Sequence, residues 1–419
     1  MNVKIYPKKL AGFINIPPSK SLSHRAIMAA SLAKGRSIIS NIIFSKDILA
    51  TISCMENLGA KIQKLENSLI IDGGFNYQGK EFNAHESGST IRFIIPIALS
   101  LVNKAKFNGI NNLVNRPLDA FFTIFDNLKI KYQHPKNCYL PLEVEGQLRS
   151  GIYEVRGDVS SQFITGLLYA LPLLEGQSKI VVTTNLESKG YIDLTLDVLN
   201  KFGIKVINNN YKEFIIQGNQ EYKPFDYYVE GDFSQAAFFL VGGALGADIK
   251  LKGMNLASYQ GDKKIIADIK AFNGVITNNE YLSAQESELR GTTIDFSQSP
   301  DLGPVLTVLA SLAKGNSKFI NASRLRIKEC DRISSMKENL NLLGAKIKEF
   351  SDGMDITGVD YLKGGVVDSF NDHRVAMALA IASIKAKEPI TILNAECVSK
   401  SYPHFWEDFK ALGGEFSYE

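Results

Sequence analysis

Leu58-Gly59-Ala60-Lys61-Ile62 returns as Leu343-Gly344-Ala345-Lys346-Ile347, and Ser31-Leu32-Ala33-Lys34-Gly35 returns as Ser311-Leu312-Ala313-Lys314-Gly315. Weaker versions of the first motif, an apolar helix end followed by a small turn and a strand, begin at Leu128, Phe202, Phe272 and Leu412. The six starts lie 69 to 74 residues apart and fill the 419-residue chain. Near-equal intervals on this scale mark a repeated supersecondary unit. Each unit reads as a helix, a Gly or Asn stop, then a short strand. Ile48, Ile52, Met55 and Leu58 make the apolar stripe of the first helix, and Ile333, Met336, Leu340 and Leu343 that of the fifth. β-rich sequence such as Ser37-Ile38-Ile39-Ser40-Asn41-Ile42-Ile43 precedes the helices. A unit of about 70 residues is small for a core of its own, so two groups of three are expected. The middle break is expected near Tyr222-Lys223-Pro224-Phe225-Asp226, where a proline interrupts a polar run.

Composition narrows the function classes. With 45% hydrophobic residues, 22% charged and a net charge of +3, the chain lacks the broad basic surface of a general nucleic-acid binder. Any anion site must be local. Cys54, Cys138, Cys330 and Cys397 are scattered, which suggests neither a disulfide framework nor a zinc site. The start, Met1-Asn2-Val3-Lys4-Ile5, has no apolar signal-peptide core, and no uncharged apolar run reaches the ~18 residues of a membrane span. A soluble cytoplasmic protein is expected.

The polar clusters suit a ligand with several anionic oxygens. In Pro17-Pro18-Ser19-Lys20-Ser21-Leu22-Ser23-His24-Arg25, Ser19 or Ser21 can cap a helix through Ala33. Ser21 with Arg25, and Lys20 with His24, are four apart and share faces. Such a helix start attracts anions, although an ordinary capped helix with a solvated basic end would read the same way. Glu86-Ser87-Gly88-Ser89-Thr90-Ile91-Arg92 offers a close backbone approach at Gly88 and a cap at Ser89 or Thr90. Asn115-Arg116-Pro117 and Gly157-Asp158-Val159-Ser160-Ser161-Gln162 add an arginine and three uncharged donors, and Ser188-Lys189-Gly190 a further polar turn. In the second half, Pro300-Asp301-Leu302-Gly303-Pro304 fixes an acid that by itself reads as a helix cap. The densest cluster is Arg324-Leu325-Arg326-Ile327-Lys328-Glu329-Cys330-Asp331-Arg332, with Lys328 and Arg332 read as one face at a helix start. Its cations are expected to lower the Cys330 thiol pKa. Asn371-Asp372-His373-Arg374 and Ser399-Lys400-Ser401 complete the set.

Pro18-Ser19-Lys20-Ser21 with Arg25, Ser160-Ser161-Gln162, Lys328-Glu329 with Asp331-Arg332, and Asn371-Asp372-His373-Arg374 resemble the 5-enolpyruvylshikimate-3-phosphate synthases, in the family's order and over nearly the whole chain. The resemblance implies an α/β (α+β) fold, the two-domain inverse α/β barrel of six βαβαββ repeats. Residues 1–12 plus 228–419 would form a discontinuous C-terminal domain and 13–227 the N-terminal one, with the active site in the interdomain cleft. It implies enolpyruvyl transfer from phosphoenolpyruvate to the 5-hydroxyl of shikimate 3-phosphate, in chorismate and aromatic amino acid biosynthesis. Lys20, Ser21, Arg25, Ser160, Ser161, Gln162, Ser188, Asp301 and Lys328 would hold shikimate 3-phosphate. Lys20, Gly88, Arg116, Gln162, Arg332, Arg374 and Lys400 would hold phosphoenolpyruvate. The catalytic residues implied are Asp301 as base, Glu329 as acid, Lys20 and His373.

No metal or cofactor is expected. The partners implied are the two small molecules, with no nucleic acid and no membrane, and the protein is expected to be a monomer. Glu86 and Arg324 stand where members often carry Asn, and Phe93 where proline is frequent, while Gly88 keeps the small residue that leaves room for the inhibitor glyphosate. A sister class that acts on a UDP-amino sugar would show Lys-Asn near the start and a cysteine loop near position 115. Here the residues are Lys20-Ser21 and Asn115-Arg116-Pro117. A non-catalytic anion-binding module would explain the cations but not Asp301 with Glu329.

Overall fold

The computed structural model describes residues 1–74 and 79–419. The six stop positions predicted from the repeat turn in the left-handed region: Gly59, Lys129, Gly203, Asn273, Gly344 and Gly413 have φ between 57° and 108°. Lys129 is the exception in side chain and not in backbone, at φ 57° and ψ 35°. Each turn ends a helix by a reversal that Gly or Asn adopts at least cost.

Among the described residues the strands form six four-stranded sheets of one pattern, a parallel pair followed by two antiparallel pairings. The fifth repeat shows it whole. Thr293–Asp295 runs parallel to Asn316–Ile320 across the helix Gly303–Ser311. Asn316–Ile320 then pairs antiparallel with Gly353–Thr357, which closes a hairpin with Lys346–Phe350 after the helix Arg332–Leu342. The order is βαβαββ, and the parallel pair needs its helical crossover.

Two repeats exchange their opening strands. Ala11–Asn15 pairs parallel with Asp248–Lys252, and Tyr227–Tyr228 with Ile39–Ser40. The N-terminal strand Val3–Tyr6 fills the sixth sheet, between Ile390–Leu393 and Glu415–Tyr418. Two compact units result: residues 1–17 with 230–419, and residues 18–229. Pairing of Ala11–Asn15 keeps the chain in the first unit beyond Phe13, where the resemblance put the crossing. Pairing of Tyr227–Tyr228 keeps it in the second beyond the proline at 224, where the sequence put the break.

The crossover helix is the apolar one of each repeat. Phe233–Ala244 and His373–Ala382 are buried along their whole length, and Lys20–Leu32 leaves only Lys20 and Ser21 partly exposed. In the unit with both chain ends, Phe233–Ala244, Gly303–Ser311 and His373–Ala382 pack on one another. In the other, Gly88–Leu101 packs against both Lys20–Leu32 and Ser161–Ala170. A helix buried on every side keeps polar side chains for its ends. Ser19, Ser87, Ser160, Asp232 and Asp372 cap the starts through side-chain oxygens. Ser87, rather than Ser89 or Thr90, caps Gly88–Leu101, by accepting from the Thr90 amide at 3.2 Å. Amides and dipoles at these starts favour anions.

Candidate active site

In the unit with both chain ends, three carboxylates and three cations interlock around Arg332. This guanidinium is 1% exposed. Its Nε donates to Asp372 Oδ2 at 2.8 Å, its Nη1 to Asp301 Oδ1 at 2.8 Å, and its Nη2 to Glu329 Oε2 at 2.7 Å and Asp372 Oδ1 at 3.3 Å. Asp301 also meets Lys328 Nζ at 3.1 Å and Arg374 Nη2 at 3.3 Å. Burial pushes the Asp301 carboxyl up, but Arg374, Lys328 and Arg332 together hold it well below the usual carboxylate range. At 19% exposure it remains reachable by a ligand. Asp301 therefore does not cap the helix after it; its carboxylate gathers cations instead.

Lys328 is not on the helix of Arg332, contrary to the spacing argument. It ends the turn Ser323–Ile327 in an extended conformation, and Asp331 caps the helix Arg332–Leu342. The two cations meet because both reach Asp301. Burial lowers the Lys328 ammonium to about 8, with Arg324 and Arg332 adding repulsion against the pull of Asp301. The Cys330 expectation is overturned. Burial pushes that thiol up, Asp372 pushes the same way, and Arg332 opposes them too weakly. Asp372 caps His373–Ala382 through the Arg374 amide at 2.8 Å while it holds Arg332. His373 and Lys400 are buried in the same unit, Lys400 at the end of a turn packed against His373–Ala382.

In the other unit the predicted residues fall into three groups. Lys20, in the first helical turn, pairs with Asp47 at 2.9 Å. Arg25 donates to the Ser21 carbonyl at 2.8 Å, Thr195 Oγ1 at 2.9 Å and the Tyr191 carbonyl at 3.0 Å. Phe93 lies under that guanidinium at 5.3 Å, which gives this departure from the family pattern a packing role. Ser188, buried in a left-handed conformation, starts the helix Lys189–Lys201 that carries Tyr191 and Thr195. Ser160 caps Ser161–Ala170. Gln162 accepts from Arg92 Nη1 at 2.8 Å and donates to Ser89 Oγ at 2.9 Å. Gly88 abuts Arg116 so closely that a Cβ there would lie 2.5 Å from Nη1. Gly88→Ala is expected to displace the Arg116 guanidinium, as a crystal structure of the variant would show. Glu86 accepts from Asn111 Nδ2 at 2.7 Å.

Sequence reasoning missed Asp47, Thr195 and Asp262. A first-turn acid such as Asp47 reads as a dipole partner, and nothing local ties it to Lys20. Asp262 accepts a hydrogen bond from Ser234. Burial, then Asp301, pushes its carboxyl up to about 6 against the pull of Arg374. Among the described residues no His, Cys, Asp and Glu group has the makings of a metal site.

The family model for EPSP synthase (3-phosphoshikimate 1-carboxyvinyltransferase) matches residues 5–409. The 3-phosphoshikimate 1-carboxyvinyltransferase of Clostridium perfringens (strain ATCC 13124) is 53% identical over 419 residues, 98% of each chain. That of Clostridium novyi is 52% identical over 425 residues, 99% of this chain and 98% of the relative. An EPSP synthase structure from Acinetobacter baumannii superposes with a TM-score of 0.82 at 25% identity, covering 100% of both chains. A family match over residues 5–409 and relatives more than half identical over nearly their whole length show that the chain belongs to the EPSP synthase family.

Proposed function

We propose that this chain transfers the enolpyruvyl group of phosphoenolpyruvate to the 5-hydroxyl of shikimate 3-phosphate and releases phosphate, a step of chorismate and aromatic amino acid biosynthesis. One observation carries the reading within the site: Arg332 holds Asp301 and Glu329 by different nitrogens, so a base and an acid flank one buried cation. The reaction needs both. Carbon 3 of phosphoenolpyruvate takes a proton while the 5-hydroxyl oxygen, losing its own, bonds to carbon 2. Loss of a carbon 3 proton and of phosphate then restores the double bond. Glu329 serves as the acid and Asp301 as the base, and Lys20 and His373 are the further catalytic residues of this reading.

Shikimate 3-phosphate is held by Ser21, Arg25, Ser160, Ser161, Ser188 and Lys328. Phosphoenolpyruvate is held by Gly88, Arg116, Arg332, Arg374 and Lys400, with Lys20 and Gln162 touching both. Without ligand, Asp301 is a weak base because three cations hold its charge. Anionic substrates compete for the same cations, so their binding restores its basicity as the complex forms. The reading also takes the enzyme as a cytoplasmic monomer that acts on small molecules without nucleic acid or membrane. No described helix is long and apolar enough to cross a membrane.

A coupled phosphate-release assay tests the assignment. Release is expected with phosphoenolpyruvate plus shikimate 3-phosphate, and none with phosphoenolpyruvate plus a UDP-amino sugar. The reverse outcome overturns it. Lys328 adds a pH signature. Its ammonium, lowered to about 8, is charged below that pH and loses its charge above it. The kcat/KM for shikimate 3-phosphate is therefore expected to fall above about pH 8, and Lys328→Arg to move that limb out of the alkaline range, as a pH–rate profile of both proteins would show.

A further inference from the structure

His24 stands on the helix of Lys20 and Arg25, yet its ring is packed in the interior. It is 0% exposed, and its Nδ1 lies 2.7 Å from Thr51 Oγ1. Thr51 Oγ1 lies 2.7 Å from Thr90 Oγ1, which donates to Ser87 Oγ at 2.7 Å. Thr51, Thr90 and Ser87 are likewise wholly buried. A hydroxyl has one proton to give. Thr90 gives its proton to Ser87, and the Asp47 carbonyl, 3.5 Å from Thr51 Oγ1, can only accept. With its one proton turned to Thr90 or to Asp47, Thr51 has none left for the imidazole, so His24 donates from Nδ1 to Thr51. Burial, opposed by Asp47 and aided by Lys20 and Arg25, lowers this imidazole to about 3, so it stays neutral across the working range.

The chain of donors ties together three elements that carry one side of the proposed site. Lys20–Leu32 brings Lys20, Lys46–Asn57 brings its partner Asp47, and Gly88–Leu101 brings the glycine that abuts Arg116. Arg25, on the same helix as His24, is anchored independently by Thr195 and Tyr191 on the helix Lys189–Lys201. We propose that His24 is a positioning residue mainly for phosphoenolpyruvate: through Thr51 and Thr90 it sets Lys20 and the Gly88–Arg116 contact, while Arg25, the shikimate-phosphate cation of the same helix, is set elsewhere. This inference rests on the reaction proposed above. The chemistry it requires at position 24 is an uncharged N–H donor, not a titrating imidazole.

The test is His24→Leu, which keeps apolar bulk and removes the donor, beside His24→Asn, which keeps an N–H. His24→Leu is expected to raise the phosphoenolpyruvate KM roughly tenfold, the weight of one buried hydrogen bond. Its calorimetric Kd for shikimate 3-phosphate should rise by no more than about threefold, since Lys20 touches both substrates but Arg25 is anchored elsewhere, and His24→Asn should recover most of the KM. A residue that merely stabilises the fold would lower the melting temperature without this split. Thr51→Val interrupts the same chain and should reproduce the selective loss, which also covers the case of His24→Leu not folding. Equal loss of both substrates, or an unchanged phosphoenolpyruvate KM in both variants, overturns the proposal. A wild-type protein that releases no phosphate would overturn the reaction assignment alone. Amide exchange would then decide the pinning: faster exchange over residues 20–24 in His24→Leu supports it, and unchanged exchange overturns it.

Discussion

Arg332→Met is expected to lower folding stability by about 3–5 kcal/mol, the usual cost of stranding buried charges. The methionine fills much of the space but offers no donor to Asp372, Asp301 or Glu329, each of which now accepts from this guanidinium. Asp372 is 0% exposed and loses both of its bonds from Arg332, so it suffers most. Arg332→Lys should recover little, since one ammonium cannot reproduce a planar fork that serves three carboxylates. The sign of the pH effect follows from the same groups. In the native protein Arg332 is one of the cations that hold the Asp301 carboxyl low. That part of its stabilisation is present above the ordinary carboxylate range and is lost as pH falls, so the deficit of the variant is largest near neutrality. Urea unfolding of both proteins at pH 7 and at about pH 3 measures this. An equal deficit at the two pH values would mean that lost packing, rather than stranded charge, dominates.

Asp301→Asn is expected to cut kcat by about 10²–10⁴ while substrate binding survives, because the amide keeps the shape and cannot take a proton. Binding of the anionic substrates should if anything tighten. In the native protein Lys328, Arg332 and Arg374 are drawn to Asp301, and a neutral amide leaves them to the ligand. Turnover and shikimate 3-phosphate affinity should therefore move in opposite directions. Loss of both together would make Asp301 a structural anchor of the cation cluster, and near-normal turnover would move the base elsewhere, with Asp262 the nearest candidate on the same electrostatic network.

Much of the fold was legible because its signals are local. Six helix stops at near-equal spacing each needed a left-handed turn, and the backbone supplies one at all six, Lys129 included. Several helix starts were legible too, such as Ser19 and Ser160, whose capping side chains stand within a few residues of the amides they serve. Spacing failed where the backbone left the helix it assumed. Lys328 sits in a turn before the cap Asp331, so its four-residue offset from Arg332 says nothing about a shared helical face.

The amino-acid sequence by itself determined the repeat, the helix that opens each set of polar residues and, through its motifs, the family. Tertiary structure decided who meets whom. The exchange of opening strands depends on pairing across more than 180 residues, Ala11–Asn15 with Asp248–Lys252 and Tyr227–Tyr228 with Ile39–Ser40. Lys20 finds Asp47, and His24 finds Thr51, only because two helices pack side by side. Arg332 becomes the hub of three carboxylates from separate segments, and burial turns the Cys330 thiol pKa upward where the local charges pointed downward. The physical reason is common to all of these: burial and partner choice are set by contacts distant in sequence, and they outweigh the short-range charge and spacing patterns that a linear reading can weigh.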